Sequence, residues 1–434
     1  MARMTVSFGG YLSTPADEKF PNWAEEVPRF LSGGSILATG MSKSYGDIAS
    51  NAAGTVVSSL GLNRMISFDS ELGVLVCEPG VLLHDIQETF VERGWMLPVT
   101  PGTSWITVAG AIANDVHGKD HHLAGTFGEH VLNLTVARSD GSLHVCSPSE
   151  NPELFLATIG GLGLTGFILR ATISLKPAAG PFFDTETIPF ESLEDFFKLS
   201  QETDSQGWQA SVGWFDCSTR KAGRGSFTRG NQSLDQLDLT EKKTRKSVNL
   251  PITPPFSLVN RVSLDLFNRA YFELQKSGAG KRRMHYQEFY YPLDGVKNWN
   301  RIYGPRGFFQ YQSVIPMKAA KSATSEMLKV IRKSGQGSFL AVLKTFADRE
   351  PAGLLSFARH GVTLALDFPN RGESTLALME SLDRIVAEAG GALNPSKDAR
   401  MSRSMFKAGF PELPRFLLQR DPAFASDFSR RVID

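Results

Sequence analysis

The sequence predicts an α+β fold of more than one domain, on three observations. Residues 31 to 177 alternate short apolar runs with Gly-rich turns. Residues from about 180 to 390 carry longer strands and helices, and Gly-rich turns return from Gly390 with a polar C-terminal segment. The mixture is not a regular βαβ alternation. At roughly 150 residues per domain, the 434 residues make two or three domains, each large enough to bury a core.

Taken in order, Ser35 to Ala38, Thr55 to Val57 and Val74 to Cys77 read as strands. Leu82, Leu83, Ile86, Phe90 and Val91 fall at helical spacing within residues 82–93. Residues 132–138, 143–145 and 167–175 are strands again, and 152–159 looks helical. The polar stretch from Arg229 to Ser247, followed by Pro251, Pro254 and Pro255, reads as a mobile loop. After it, Val259, Val262, Leu266, Phe267, Ala270, Tyr271 and Leu274 share one helical face.

Composition narrows the function. Apolar residues are 41% and charged residues 21%, which excludes wholesale disorder. Lys and Arg number 46 against 45 Asp and Glu, so nucleic acid is not an expected partner. The 30 Phe read as core filler. Cys77, Cys146 and Cys217 are far apart, which supports neither a disulfide framework nor a zinc knuckle and fits a reducing compartment. Met1 to Pro15 lacks the apolar stretch of a secretory signal, and no run approaches the ~18 apolar residues of a membrane span. The expected place is cytoplasmic, with membrane-surface contact left open and the periplasm disfavoured.

Four segments carry candidate chemistry. Residues 39–47 run from a strand into a Gly/Ser-rich loop, whose N–H groups can cradle phosphate or simply turn the chain. Pro101-Gly102-Thr103-Ser104 sets a turn, and the small residues from Thr107 to Ala113 permit close approach of a ligand or of another element. Residues 115–122 look like a loop. His117 and His121 are spaced as metal ligands, but Gly118 between them and the missing carboxylate motif argue against a metal. Gly161, Gly163 and Gly166 match G-x-G-x-x-G, yet a helix precedes them and a strand follows, the inverse of a nicotinamide site. Four Gly-rich segments within about 130 residues suit a large, flat, phosphate-bearing cofactor, and FAD fits.

At this point the order of motifs resembles the FAD-linked oxidase family related to vanillyl-alcohol oxidase. The pieces are Ser44-Tyr45-Gly46-Asp47, Pro101-Gly102-Thr103, His117-Gly118-Lys119 and residues 160–166. Further pieces resemble its branch acting on polyprenyl-phosphoryl ribose: residues 289–294, 303–305, 310–312, 367–369, 397–400 and 424–427. The resemblance implies two domains. An FAD-binding domain of two α+β subdomains would take residues 1–180 and 391–434, and a substrate domain with an antiparallel sheet would take 181–390.

The same resemblance assigns residues. FAD would lie against Gly40, Met41, Ser42, Lys43, Ser44, Tyr45, Gly46 and Asp47, and against Gly102, Thr107, Val108, Ala109 and Gly110. It would also meet His117, Gly118, Lys119, Gly163, Ile168 and Asn394. Lys43 stands where some relatives have a His that bonds FAD covalently, which implies noncovalent FAD, and Ser42 replaces a common Gly. Lys397 and His117 are the expected catalytic residues, with Lys397 either a base or an electrostatic stabiliser. Tyr45, Tyr290, Gln312, Lys344, Thr363 and Ala365 would contact substrate. Ala365 stands in place of a Cys, Thr363 and Asn394 in place of an Asn and a Tyr, and Leu162 in place of a polar residue. Trapping by reagents that need that Cys is therefore not expected.

The implied reaction oxidises the C2 hydroxyl of a polyprenyl-phosphoryl ribose to the 2-keto sugar, the first half of an epimerisation to arabinose. Implied partners are a short-chain reductase and a quinone-like electron acceptor. The rivals are an aldonolactone or alditol oxidase and a non-catalytic flavin-binding partner of a reductase, the latter disfavoured by Lys397, Tyr45 and Gln312. The apolar face of residues 259–274 lies near Lys242, Lys243, Arg245, Lys246, Lys281, Arg282 and Arg283. It reads either as a membrane-surface element or as an amphipathic helix packed on the core.

Overall fold

The computed structural model describes residues 3–52, 54–218, 223–235 and 247–434. Three sheets organise them. The first has four strands in the order Arg3–Val6, Ser13–Lys19, Thr55–Ser58, Ile36–Thr39. Its first pair is antiparallel and the other two are parallel. The second has five antiparallel strands in the order Met65–Asp69, Val74–Cys77, Phe167–Ser174, Val131–Ala137, Leu143–Cys146. The strands expected at 35–38, 55–57, 74–77, 132–138, 143–145 and 167–175 fall within one residue of these bounds, while Arg3–Val6, Ser13–Lys19 and Met65–Asp69 were not expected. The expected helix is also present, as Leu83–Phe90 extended by a 3-10 turn at Val91–Arg93.

The third sheet is antiparallel with eight strands. At its centre Ala341–Phe346, Gly361–Pro369 and Phe308–Ile315 lie side by side. Successive side chains point to opposite faces. Tyr311, Leu343, Leu364, Leu366 and Phe368 therefore enter one core, with Phe196, Met327, Ile331 and Leu382 of the covering helices. The alternate residues, Gln310, Gln312, Lys344, Thr363, Ala365 and Asp367, face the other way. Ala392–Leu393 joins the edge of this sheet beside Phe308–Ile315.

The chain then returns to its beginning. Ile36 and Phe424 form a parallel bridge, with Ile36 N–H donating to Ala423 O at 2.8 Å and Ala425 N–H donating to Ile36 O at 2.8 Å. Phe424 is buried with Val27, Leu31, Ile36 and Val57.

Three sequence expectations are corrected. Arg229 is not in a loop. It lies in the Gly225–Gln232 strand, ion-paired with Glu186 at 2.6 Å, because Arg229 to Gln232 continue a pairing with Phe182–Phe190. Residues 236–246 of that stretch, with Lys242, Lys243, Arg245 and Lys246, lie outside the described residues. Residues 115–122 are not all loop: His121 and His122 begin a one-turn helix, His121–Ala124, whose N–H groups bond back to Asp120 and His121. Of the two readings of the 259–274 apolar face, packing on the core is the one corrected: within the helix that face points mostly to solvent, with Tyr271 half-buried against Trp214. In the Arg261–Ser277 helix the buried residues are Leu264, Asn268 and Phe272, while Val262, Leu266, Phe267, Ala270 and Leu274 are exposed. Asn268 wins the inward place because its amide donates to Asp216 at 3.1 Å and Ser218 at 3.0 Å. Val259 precedes this helix and is buried against Tyr303, Phe308 and Tyr45.

Candidate functional site

All three sheets contribute to one cavity of about 1000 Å³. One wall is made of Gly-rich backbone. Residues Gly40 to Tyr45 follow the Ile36–Thr39 strand and line it, as do Gly102, Gly163 and Ile168. Thr107 caps the Val108–Ala113 helix by accepting the Gly110 N–H at 3.1 Å. Thr107, Ala109 and Gly110 line the cavity, so the start of this helix faces it, with its first N–H groups already bonded to Val81 O, Pro79 O and Thr107 Oγ1. Gly40 is needed for close approach: a Cβ there would sit 2.2 Å from Thr107 Oγ1. Ser42 has φ +48°, the left-handed region that favours glycine.

The opposite wall is the polar face of the eight-stranded sheet. Gln312, Val342, Lys344, Thr363 and Ala365 line it because Gln312 pairs with Ala365, Val342 with Ala365, and Lys344 with Thr363 across the strands. Asn394, Ser396 and Lys397 complete it just after the Ala392–Leu393 edge strand.

A hydrogen-bond chain in this wall fixes a protonation state. The Ser396 backbone N–H donates to Asn394 Oδ1 at 3.0 Å, which orients that amide. Asn394 Nδ2 then donates to Gln312 Oε1 at 3.0 Å. Gln312 Nε2 is therefore the donor, to Thr363 Oγ1 at 3.0 Å and to His117 Nε2 at 3.2 Å. With Nε2 accepting, a neutral His117 carries its proton on Nδ1. Nδ1 lies 3.1 Å from Lys344 Nζ, so Lys344 accepts there as a neutral amine, while donating to Gly118 O at 3.1 Å. Burial is the largest cause holding His117 well below its usual range, so the imidazole is neutral. Burial, then Lys119, bring Lys344 down to about 7, with Lys397 adding a smaller push.

Lys397 differs. Its Nζ lies 4.2 Å from the Tyr45 ring centroid, a cation–π distance. Burial lowers it to about 8 against the opposing pull of Asp367, so it stays mostly charged at neutral pH. Asp367 is fully buried, accepts from Gln310 Nε2 at 2.7 Å on Oδ1, and has no partner on Oδ2. Burial pushes it up to about 7.

Several expected residues stand behind the cavity rather than on it. Asp47 is held by Arg431, and Val108 is core. Gly46 packs on Asp398, where a Cβ would lie 1.6 Å from the carbonyl oxygen. Gly118 supplies a carbonyl to Lys344. Lys119 donates to Tyr290 O at 2.9 Å, and Tyr290 donates from its hydroxyl to Asp120 at 2.7 Å. The adjacent Tyr291 lines the cavity instead. Gln310, Ser396 and Tyr291 were not singled out by the sequence. Period-two alternation from Gln312 and Ala365 would have found Gln310 and Asp367. No group of three or more His, Cys, Asp or Glu is placed to hold a metal among the described residues.

The residues fit FAD. The glycine wall offers backbone N–H groups and room, with nothing within 4 Å of a Cβ built at Gly102. Ser59 Oγ and Asn114 Oδ1, both on residues lining the cavity, are buried without a partner among the described residues.

Comparisons with known proteins agree. Residues 31–147 match the FAD binding domain family. The chain is 35% identical to decaprenylphosphoryl-beta-D-ribose oxidase of Mycolicibacterium smegmatis, over 92% of this chain and 89% of that protein. An uncharacterised Streptomyces coelicolor protein is 30% identical over 81% of this chain and its own full length. D-arabinono-1,4-lactone oxidase of Yarrowia lipolytica is 29% identical over 43% of this chain and 36% of its own.

Proposed function

Because the chain belongs to the FAD-linked oxidases, an oxidoreductase family whose cofactor is FAD, we propose that it oxidises the C2 hydroxyl of a polyprenyl-phosphoryl ribose to the 2-keto sugar. One observation carries the reading. A single cavity has glycine backbone for a dinucleotide on one wall and, on the other, Lys344 brought down to about 7, a charged Lys397 and the hydrogen-bonded His117 imidazole. With Lys43 in place of a His, FAD would be held noncovalently, and when bound it would supply the two-electron acceptor for the hydride from C2.

The chain's own residues manage the hydroxyl. Lys397, charged at neutral pH, polarises the oxygen and stabilises the developing alkoxide. Lys344, brought down to about 7 by burial, takes the proton when its one lone pair turns from the His117 Nδ1–H to the substrate hydroxyl. Gln312, Thr363, Tyr45 and Ala365 shape the sugar pocket. The domain division that goes with this reading is an FAD-binding domain of residues 1–180 and 391–434 around a substrate domain of 181–390. A short-chain reductase completes the epimerisation and a quinone-like acceptor reoxidises the flavin. The three free, buried thiols suit the cytoplasmic side of the membrane that carries the substrate.

Anaerobic addition of polyprenyl-phosphoryl ribose to the purified flavoprotein is expected to bleach its visible flavin absorbance. The similarity to a lactone oxidase over 43% of the chain favours one rival, oxidation of a soluble polyol or lactone. Bleaching by soluble alditols or aldonolactones, but not by the lipid-linked sugar, would establish the rival in its place.

A further inference from the structure

We propose that the outward face of the Arg261–Ser277 helix, with the 248–258 segment leading into it, seats the protein on a bilayer bearing anionic headgroups. The proposal builds on the lipid-linked substrate above, but its test does not use that substrate.

The helix has two apolar faces. Leu264 and Phe272 face inward, and Arg224 stacks over the Phe272 ring at 4.3 Å. On the opposite side Val262 is 77% exposed, Leu266 70% and Leu274 64%, at intervals that align them along one stripe. Phe267, at 40%, extends it. The preceding segment adds Ile252 at 75% and Phe256 at 67%. Scattered apolar residues on a surface need no explanation, but an exposed stripe along one helix, joined in sequence to further exposed Ile and Phe, suits an interaction site. The 17-residue helix is about 25 Å long at 1.5 Å per residue, enough to lie in an interface plane.

Charge and position select the occupant. Residues 248–283 contain six Lys and Arg against only Asp265 and Glu273, in a chain of net charge +1. Arg269 is paired with Asp265 and Arg283 with Asp184 and Asp235, but Arg261, Lys276 and Lys281 have no ion pair among the described residues. A second copy docked on the same face would bring like charges together; an anionic lipid surface complements them. The face also adjoins the cavity. Val248–Asn249 pairs with Val296–Lys297, Leu250 N–H donates to Lys297 O at 3.1 Å, and Leu258 N–H donates to Ile302 O at 2.8 Å. Val296, Lys297, Asn298 and Trp299 line the cavity. A bilayer under this face would meet the cavity mouth.

The test is flotation of the full-length flavoprotein with vesicles of phosphatidylcholine alone or with about a third phosphatidylglycerol. Flotation with the anionic vesicles is expected, weakened by high salt. The triple variant Val262→Ser, Leu266→Ser and Leu274→Ser should partition at least tenfold less while keeping its flavin spectrum, since all three side chains are exposed. Arg261→Glu with Lys276→Glu should lose the preference for anionic vesicles. Wild-type protein that stays in the soluble fraction with both vesicles overturns the proposal, as does a triple variant that floats like wild type. A concentration-dependent dimer by light scattering, lost in the triple variant without any flotation, would assign the face to a second copy instead. Flavin bleaching by detergent-dispersed substrate is read separately, so loss of membrane binding and loss of the proposed activity are distinguishable.

Discussion

The proton on His117 is positioned by a backbone amide three hydrogen bonds away. Ser396 N–H fixes Asn394, Asn394 fixes Gln312, Gln312 fixes the imidazole tautomer, and the imidazole requires a neutral Lys344. A lysine whose pKa has fallen to about 7 is protonated below that value and an amine above it. The rate constant for flavin reduction should therefore rise with pH through an apparent pKa near 7. Lys344→Met should lower it by about 10²-fold or more at neutral pH, the usual worth of a positioned base. Gln312→Leu removes the donor to Nε2, frees the other tautomer, and lets a charged Lys344 donate to Nδ1. The midpoint of the pH profile should then move to higher pH, measured by anaerobic stopped flow; an unmoved midpoint would break the chain of argument. Little of this was legible beforehand. Lys344, Gln312 and His117 were each named from the resemblance, but a tautomer depends on which atom of which amide faces which ring, and that is set in three dimensions.

At the scale of elements, the glycine loop and the segment carrying Lys397 interlock. Tyr45 N–H donates to Ser396 O at 3.1 Å, and Gly46 rests directly on the Asp398 carbonyl. Gly46 has φ −105°, so its backbone is not strained; space is what it supplies. Gly46→Ala would push a methyl into a backbone oxygen that cannot rotate away. It should cost about 1–3 kcal/mol by overpacking and move Tyr45 away from Lys397. The expected readings are a lower thermal midpoint and faster release of FAD on dilution, and unchanged values in both would show that the loops are not rigidly coupled. Element by element, the apolar strands were legible because β-branched runs such as Thr55-Val56-Val57 bury both faces or one. Ser13–Lys19 was not: Ser-Thr-Pro-Ala-Asp-Glu-Lys has no apolar alternation, and it is a strand because Arg3–Val6 pairs with its first half and Thr55–Val57 with its second. The Arg261–Ser277 helix was legible in its period but not in its direction, since its buried side is carried by Leu264, Phe272 and an asparagine.

At the scale of the molecule, the last residues lock the first loop in place. Arg431 donates to both oxygens of Asp47 at 2.9 Å, to Asp398 at 3.1 Å, and to Met401 O. One guanidinium thus ties the C-terminal Asp427–Val432 helix to the glycine loop and to the residue after Lys397. Burial works against this cluster, raising the Asp47 carboxyl, while Arg431 pulls it back down. Removing one partner of a buried pair leaves the other charge uncompensated, typically at about 3–5 kcal/mol. Arg431 retains some solvent contact, so the lower end of that range applies to Arg431→Met, with Asp47 and Asp398 left facing each other across the gap. The sign of the pH dependence follows. The Asp47 carboxylate becomes easier to protonate without the guanidinium, so the deficit relative to wild type should shrink as pH falls toward the carboxylate range and be largest near neutrality. Urea unfolding of wild type and Arg431→Met at pH 7 and pH 5 checks this. A deficit of equal size at both pH values would mean that Arg431 contributes packing and hydrogen bonds rather than charge, and that the closure of the chain's two ends rests on the Ile36–Phe424 bridge instead.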